Sequence, residues 1–177
     1  MKEGESAASP LARVRGVQRT IRRLLLLVAV VLVALFLSRY DIEHLPPSVH
    51  DLEGRVRPGA LMILGGIEVD TPLGAGSLVE VVMPGPEGRR VRFFSEIAGV
   101  PGQVISLKPI PGKGLGLYLD GRTTWKVLPA NTPLMPGPIP EGKYLLLDPN
   151  PPANGPDSRR LGLIPRAALR RRILFAL

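Results

Sequence analysis

The side chains able to do covalent chemistry in this sequence are few, and their spacing narrows what they can do. There is no cysteine, which excludes disulfides, thiolate metal sites and cysteine nucleophiles. The two histidines, His44 and His50, are too few for a histidine-rich metal centre, and neither metal nor cofactor is expected. Hydroxyl chemistry is left. Ser48, His50 and Asp51 stand almost side by side, a grouping that suggests nucleophile, base and orienting carboxylate. Yet a triad needs side chains converging from different segments, and neighbours on one extended loop point apart. A polar loop after Pro46-Pro47 is the plainer reading. Ser48 alone would need an amine as its base, drawn from Lys108, Lys113, Lys126 or Lys143, all of which read equally well as solvated surface lysines.

Any such site has to be held by short strands. The 20 Pro and 20 Gly favour turns over long helices, and they are spread along the chain rather than gathered in a repeat. Apolar runs cut by these residues predict strands at Ala60–Leu64, Ser77–Met83, Arg89–Ala98, Gln103–Leu107, Leu115–Leu119, Thr123–Leu128 and Lys143–Leu147. Asp120-Gly121 between two of them is a hairpin signal. Residues Ala167–Leu177 close the chain as a strand or short helix. The expected fold class is mainly β, a barrel or sandwich of antiparallel strands covering residues 59–177, preceded by one transmembrane helix.

That helix is read from Leu24–Leu37, which has no polar side chain. Fourteen such residues rise about 21 Å as a helix, short of the roughly 30 Å hydrocarbon core. Snorkelling Arg22, Arg23 and Arg39 and an interfacial Tyr40 extend it. The expected organisation is a cytoplasmic basic arm over 1–23, an anchor over 24–38, and a linker over 39–58. No small-x-small cleavage site follows the apolar run, which favours an uncleaved anchor over a signal peptide. Basic residues upstream (Lys2, Arg13, Arg15, Arg19, Arg22, Arg23), against Arg39 with Asp41 and Glu43 downstream, orient the N-terminus to the cytoplasm and the β domain outside. The expected partner is therefore a lipid bilayer, in a single-pass inner-membrane arrangement. Nucleic acid is not expected: the net charge of +8 sits at the two ends, with no stacking aromatics beside the arginines. Arg170–Arg172 suit acidic lipid headgroups or, more simply, a solvated edge strand. Trp125 and Phe93-Phe94 read as core or membrane-contact residues. The Arg- and Pro-rich, Cys-free composition also suits a thermophile, or a GC-rich genome.

Two passages resemble the type I signal peptidase family of leader-peptidase-like serine peptidases. In Ile139–Pro165, Asn154, Asp157, Ser158, Arg159, Gly162, Ile164 and Pro165 match its Asn-Ser-x-Asp-Ser-Arg and Gly-x-(Val/Ile)-Pro spacing. In Phe93–Gln103, Gly99, Pro101 and Gly102 match its Lys-Arg-x-x-Gly-x-Pro-Gly-Asp stretch. Gly76–Pro84 resembles the family's Gly-Asp-x-Val-Val-Phe strand, and Arg57-Pro58-Gly59 the end of its nucleophile loop. The matches run in family order over most of the chain. The resemblance implies a membrane-apposed antiparallel β fold that cleaves signal peptides with a serine nucleophile and a lysine base.

The departures fall on that chemistry. The family's general-base position holds Ser95, whose hydroxyl is no base near neutral pH, and the adjoining arginine position holds Glu96. The nucleophile position holds Asp51 or, in the register set by Pro47-Ser48, His50. The Gly-Asp-Asn loop has become Pro149-Asn150-Pro151, and the serine that supports the lysine has become Gly155. The expectation is a catalytically degenerate member that binds signal peptides, precursor proteins or an active signal peptidase. The alternatives are an active endopeptidase with an unusual dyad and a tethered structural β domain.

Overall fold

The computed structural model describes residues 10–45, 56, 59–68, 70–85, 88–112, 114–129, 131–148 and 156–177. The chain divides into a unit ending at Tyr40 and a second unit, Asp41–Leu177.

The first unit is helix α1, Pro10–Arg39. Its stretch Gln18–Arg39 is 22 residues and contains an 18-residue window with a mean hydropathy of 2.5, long and apolar enough to cross a membrane. At 1.5 Å per residue it spans about 33 Å, so helical flanks supply the length that Leu24–Leu37 lacks. A helix of this kind serves as a membrane anchor or as a signal sequence. Helical structure also reaches back through much of the expected basic arm, as the straight stems of arginine lose little freedom in a helix.

The second unit is built from two sheets. Its strands are β1 (Tyr40–His44), β2 (Leu61–Gly66), β3 (Leu78–Pro84), β4 (Arg90–Gly99), β5 (Val104–Ile110), β6 (Gly114–Leu119), β7 (Arg122–Leu128), β8 (Gly137–Pro138), β9 (Lys143–Leu147), β10 (Ile164–Pro165) and β11 (Leu169–Ala176). The larger sheet runs β1-β2-β11-β3-β4-β9-β10 and the smaller β7-β6-β5-β8. The pairings β2–β11, β11–β3, β3–β4, β4–β9 and β9–β10 are antiparallel, as are those of the smaller sheet. The expected mainly antiparallel β fold is what the chain adopts.

Three differences from the sequence reading stand out. Strand β1 lies inside the stretch read as linker; its Tyr40/Ile42/His44 and Asp41/Glu43 alternation is a strand pattern, but the partners that hold it are distant in sequence. The C-terminal segment is a 3-10 turn at Arg166–Ala168 followed by β11. And β11 is an interior strand, between β2 and β3, rather than a solvated edge.

Strand β9 is the centre of the packing. Leu145 and Leu147 enter one apolar cluster with Ile105, Leu117 and Ile139, which joins the smaller sheet to the larger. Tyr144 and Leu146 enter a second with Val79, Val81, Phe93 and Ile97 on the other face. A strand buried on both faces reads as a continuous apolar run, as Tyr144–Leu147 does. A third cluster, with Leu45, Met62, Leu64 and Phe94, fills the space beside β2.

The hairpin at Asp120-Gly121 forms as expected. Both residues have positive φ (48° and 76°), the signature of a type I′ turn. Gly99 is required for a different reason. A Cβ there would stand 2.8 Å from Ile139 Cδ1 and 3.1 Å from Leu145 Cβ. We expect Gly99→Ala to cost about 1–3 kcal/mol through overpacking against β9, measured as a lowered denaturant midpoint of the detergent-solubilised chain.

Candidate functional site

Ser95 sits on β4 directly opposite Val79 of β3. Side chains alternate along a strand, so Ser95 shares a face with Phe93 and Ile97, both members of the Tyr144–Leu146 cluster. Its residue exposure is 0%, and its Oγ has no hydrogen-bond partner. Ser95, expected from the sequence resemblance to stand at a general-base position, is thus a buried hydroxyl in an apolar setting, with no amine bonded to it. Glu96, the next residue, faces the opposite side of the sheet.

The Gly99, Pro101, Gly102 motif is a turn. Gln103 N donates to Val100 O at 3.2 Å, with Pro101 second and Gly102 third, at φ +86°. This is the type II arrangement, whose third residue needs positive φ. Gln103 Oε1 accepts from Val100 N, and Gly102 N donates to Ile139 O, docking the turn beside β8.

The Asp157, Ser158, Arg159 motif is a buried polar knot. Asp157, 1% exposed, caps the short helix α2 (Ser158–Leu161) by accepting from Arg159 N at 2.9 Å. Its Oδ2 also receives Arg159 Nε at 2.7 Å and Nη2 at 2.6 Å. Arg159 Nη2 reaches Asp148 O at 3.1 Å, just past the end of β9. The Ser158 Oγ accepts from Leu146 N at 2.8 Å, satisfying a β9 amide. Gly162 ends α2 with φ +76°. The expected Asp157–Arg159 contact is present, and its bonds run to the backbone of β9 rather than to a reacting group. Ser95 does not join it: Ser95 Oγ has no hydrogen-bond partner, and Ser158 is engaged with Leu146.

Ser48, His50, Asp51 and Asn154 lie outside the described residues, as do Pro149-Asn150-Pro151 and Gly155. Of the four lysines considered as an alternative base, Lys108 holds its ammonium 4.9 Å over the Tyr118 ring, and Lys143 is exposed at the start of β9. Among the described residues no group of three or more His, Cys, Asp or Glu is placed to hold a metal ion. A cleft of about 470 Å³ is lined, among the described residues, by Gln103, Leu119, Asp120, Arg122, Thr123 and Thr124, and Ser95 is not one of them. Hydrogen bonds from Val104 N and then from Gln103 hold the Asp120 carboxyl below the usual carboxylate range.

Among the described residues, the largest polar constellation is one that the sequence reading did not find. Glu80 on β3, buried among apolar neighbours, binds Arg171 of β11 through Nε at 2.5 Å and Nη2 at 2.9 Å, and also binds Arg92 of β4. Arg171 Nη1 reaches Asp41 at 2.9 Å and Glu43 at 2.7 Å on β1, and Arg92 also pairs with Glu43. The Arg92 guanidinium lies 5.2 Å over the Phe94 ring. Arg171 is therefore a partnered residue rather than part of a solvated charge run. The only available signal was alternating charge in β1 and an unexplained glutamate in an apolar strand. Burial pushes the Glu80 carboxyl up, but hydrogen bonding and charge from Arg171 and Arg92 outweigh it, leaving the pKa lowered. Glu43 follows the same pattern. For Arg171, the Glu80 hydrogen bond is the largest influence and raises the pKa.

Two outcomes follow from this geometry. Carboxylates with lowered folded pKa values stabilise above the ordinary value of 4.5, and that contribution is lost as pH falls through the depressed values. Denaturant midpoints should therefore hold steady at neutral pH and fall below about pH 4.5, with a shallower acid decline in Glu80→Gln. Separately, Ser158→Ala should cost about 1–3 kcal/mol by orphaning Leu146 N, whereas Ser95→Ala should leave the midpoint unchanged or raise it, since no hydrogen bond is lost.

No protein-family model matches the chain, and neither does any curated protein. Among solved structures the chain is similar to a signal peptidase I from Enterococcus faecalis V583, at 20% identity, over 58% of this chain and 96% of that one, with a TM-score of 0.34.

Proposed function

We propose that this chain is a membrane-anchored, signal-peptidase-I-like protein that has lost the serine–lysine dyad and binds extended peptides of the secretion pathway. The observation that carries the reading is Ser95. At the position where the family's mechanism needs a neutral amine, the chain has a hydroxyl that is fully buried and without a partner. Such a group cannot take the proton from an attacking alcohol near neutral pH. The matched turn and cap residues, by contrast, have structural work: Gly99, Pro101 and Gly102 shape a turn, and Asp157, Ser158 and Arg159 tie α2 to β9. Retention of scaffold residues beside loss of the chemical ones supports a binding role.

The peptide would bind by strand addition, in which main-chain hydrogen bonds supply affinity and alternate side chains supply selectivity. A signal peptide, a precursor protein or a segment of an active signal peptidase would each fit that chemistry. The N-terminal helix would remain uncleaved as the anchor, with the β domain on the extracytoplasmic side of the inner membrane.

The test uses the purified full-length chain in detergent micelles and a fluorescent synthetic signal peptide. We expect saturable binding without cleavage, and no change in either with Ser48→Ala. Cleavage that disappears in Ser48→Ala would establish an active peptidase with an unusual dyad. Neither binding nor cleavage would leave a tethered structural domain.

A further inference from the structure

Among the described residues, strand β1 is an edge strand, paired in the sheet with β2 alone. None of its five side chains is buried; the first buried residue after it is Leu45. Apolar packing therefore contributes little to seating it. What β1 does carry is Asp41 and Glu43, two residues apart and so on one face, both bound to Arg171, with Glu43 also bound to Arg92. Those two guanidiniums are fixed from beneath by Glu80, whose side chain is only 4% exposed.

We propose that Asp41, Glu43, Glu80, Arg92 and Arg171 form a charge clasp that seats β1 on the sheet and thereby sets the length of the tether between the membrane helix and the β domain. The tether part of this inference rests on the anchor reading above; the clasp does not. Asp41 follows the last residue of α1 by two positions. Along the chain, β1 begins at the residue that follows the last residue of α1. With β1 released up to Leu45, five extended residues add about 17 Å of reach.

The clasp is graded. Asp41 and Glu43 side chains are 63% and 33% exposed, against 4% for Glu80. Salt screens exposed pairs far more than buried ones, so the outer, β1 half opens first while Glu80 and Arg171 stay joined. By element, the charged groups on the clasp face of the neighbouring strands are none on β2, Glu80 on β3, Arg90, Arg92 and Glu96 on β4, and Arg171 on β11. On β1 itself His44 stands apart, with Nδ1 3.3 Å from Gly59 O.

The experiment is amide hydrogen exchange on the full-length chain in detergent micelles, comparing wild type with the double variant Asp41→Asn, Glu43→Gln. Three partly exposed pairs of modest individual strength predict about tenfold faster exchange over Tyr40–His44 in the variant. Raising salt to about 1 M should accelerate the same amides in wild type. Exchange in β3, β4 and β9 should stay unchanged in both. Unaltered exchange over Tyr40–His44 in both arms would overturn the clasp, and so would β3 and β4 accelerating together with β1. Intact mass of the membrane-extracted chain reads whether the helix is retained, so failure of the anchor is scored separately from failure of the clasp.

Discussion

The fold depends on a strand that has no solvent face. Tyr144–Leu147 bury alternate side chains in two separate apolar clusters, so β9 has to be apolar on both sides and hydrogen-bonded along both edges. Fully burying a leucine contributes roughly 1.5–3 kcal/mol, and Leu145 and Leu146 are both wholly buried. The two sheets meet through it, since the cluster of Leu145 and Leu147 also contains Ile105 and Leu117 of the smaller sheet. A strand so placed cannot leave polar groups unpaired, because a buried unpaired amide costs as much as a lost hydrogen bond.

That constraint explains the Gly99-Pro101-Gly102 and Asp157-Ser158-Arg159 motifs. Both dock on β9. Gly99 pairs with Leu145 and lacks the Cβ that would collide with it. Ser158 takes the amide of Leu146, and Arg159 takes the carbonyl of Asp148 where the strand ends. These residue types are demanded by packing and hydrogen-bond satisfaction whether or not the chain performs catalysis. Ser95 shows the converse. It too lies against this core, yet its hydroxyl is left without a partner.

Charge is handled by a second device on the other side of the sheet. Glu80 sits deep in β3, and the guanidiniums of Arg171 and Arg92 converge on it from β11 and β4. Three neighbouring strands are cross-linked this way, and β1 is added as a fourth through Asp41 and Glu43. Removing Arg171 or Arg92 would leave the buried Glu80 charge short of a partner, whereas the pairs out to Asp41 and Glu43 are partly exposed and individually weaker.

The sequence alone determined what local rules govern. The apolar helix, the strand runs, the Asp120-Gly121 hairpin and the Pro101-Gly102 turn were all legible, because each depends on periodicity or on the φ preference of one or two residues. The Asp157–Arg159 contact was legible too, being two residues long. Tertiary structure alone decided that β1 is a strand, that β11 lies inside the sheet, and that Glu80 gathers Arg92 and Arg171. It also decided that Ser95 faces the apolar core. The physical reason is the same in each case. These features are set by sheet order and register between segments up to 130 residues apart, as Arg171 is from Asp41, and no local pattern in the chain encodes which strand lies next to which.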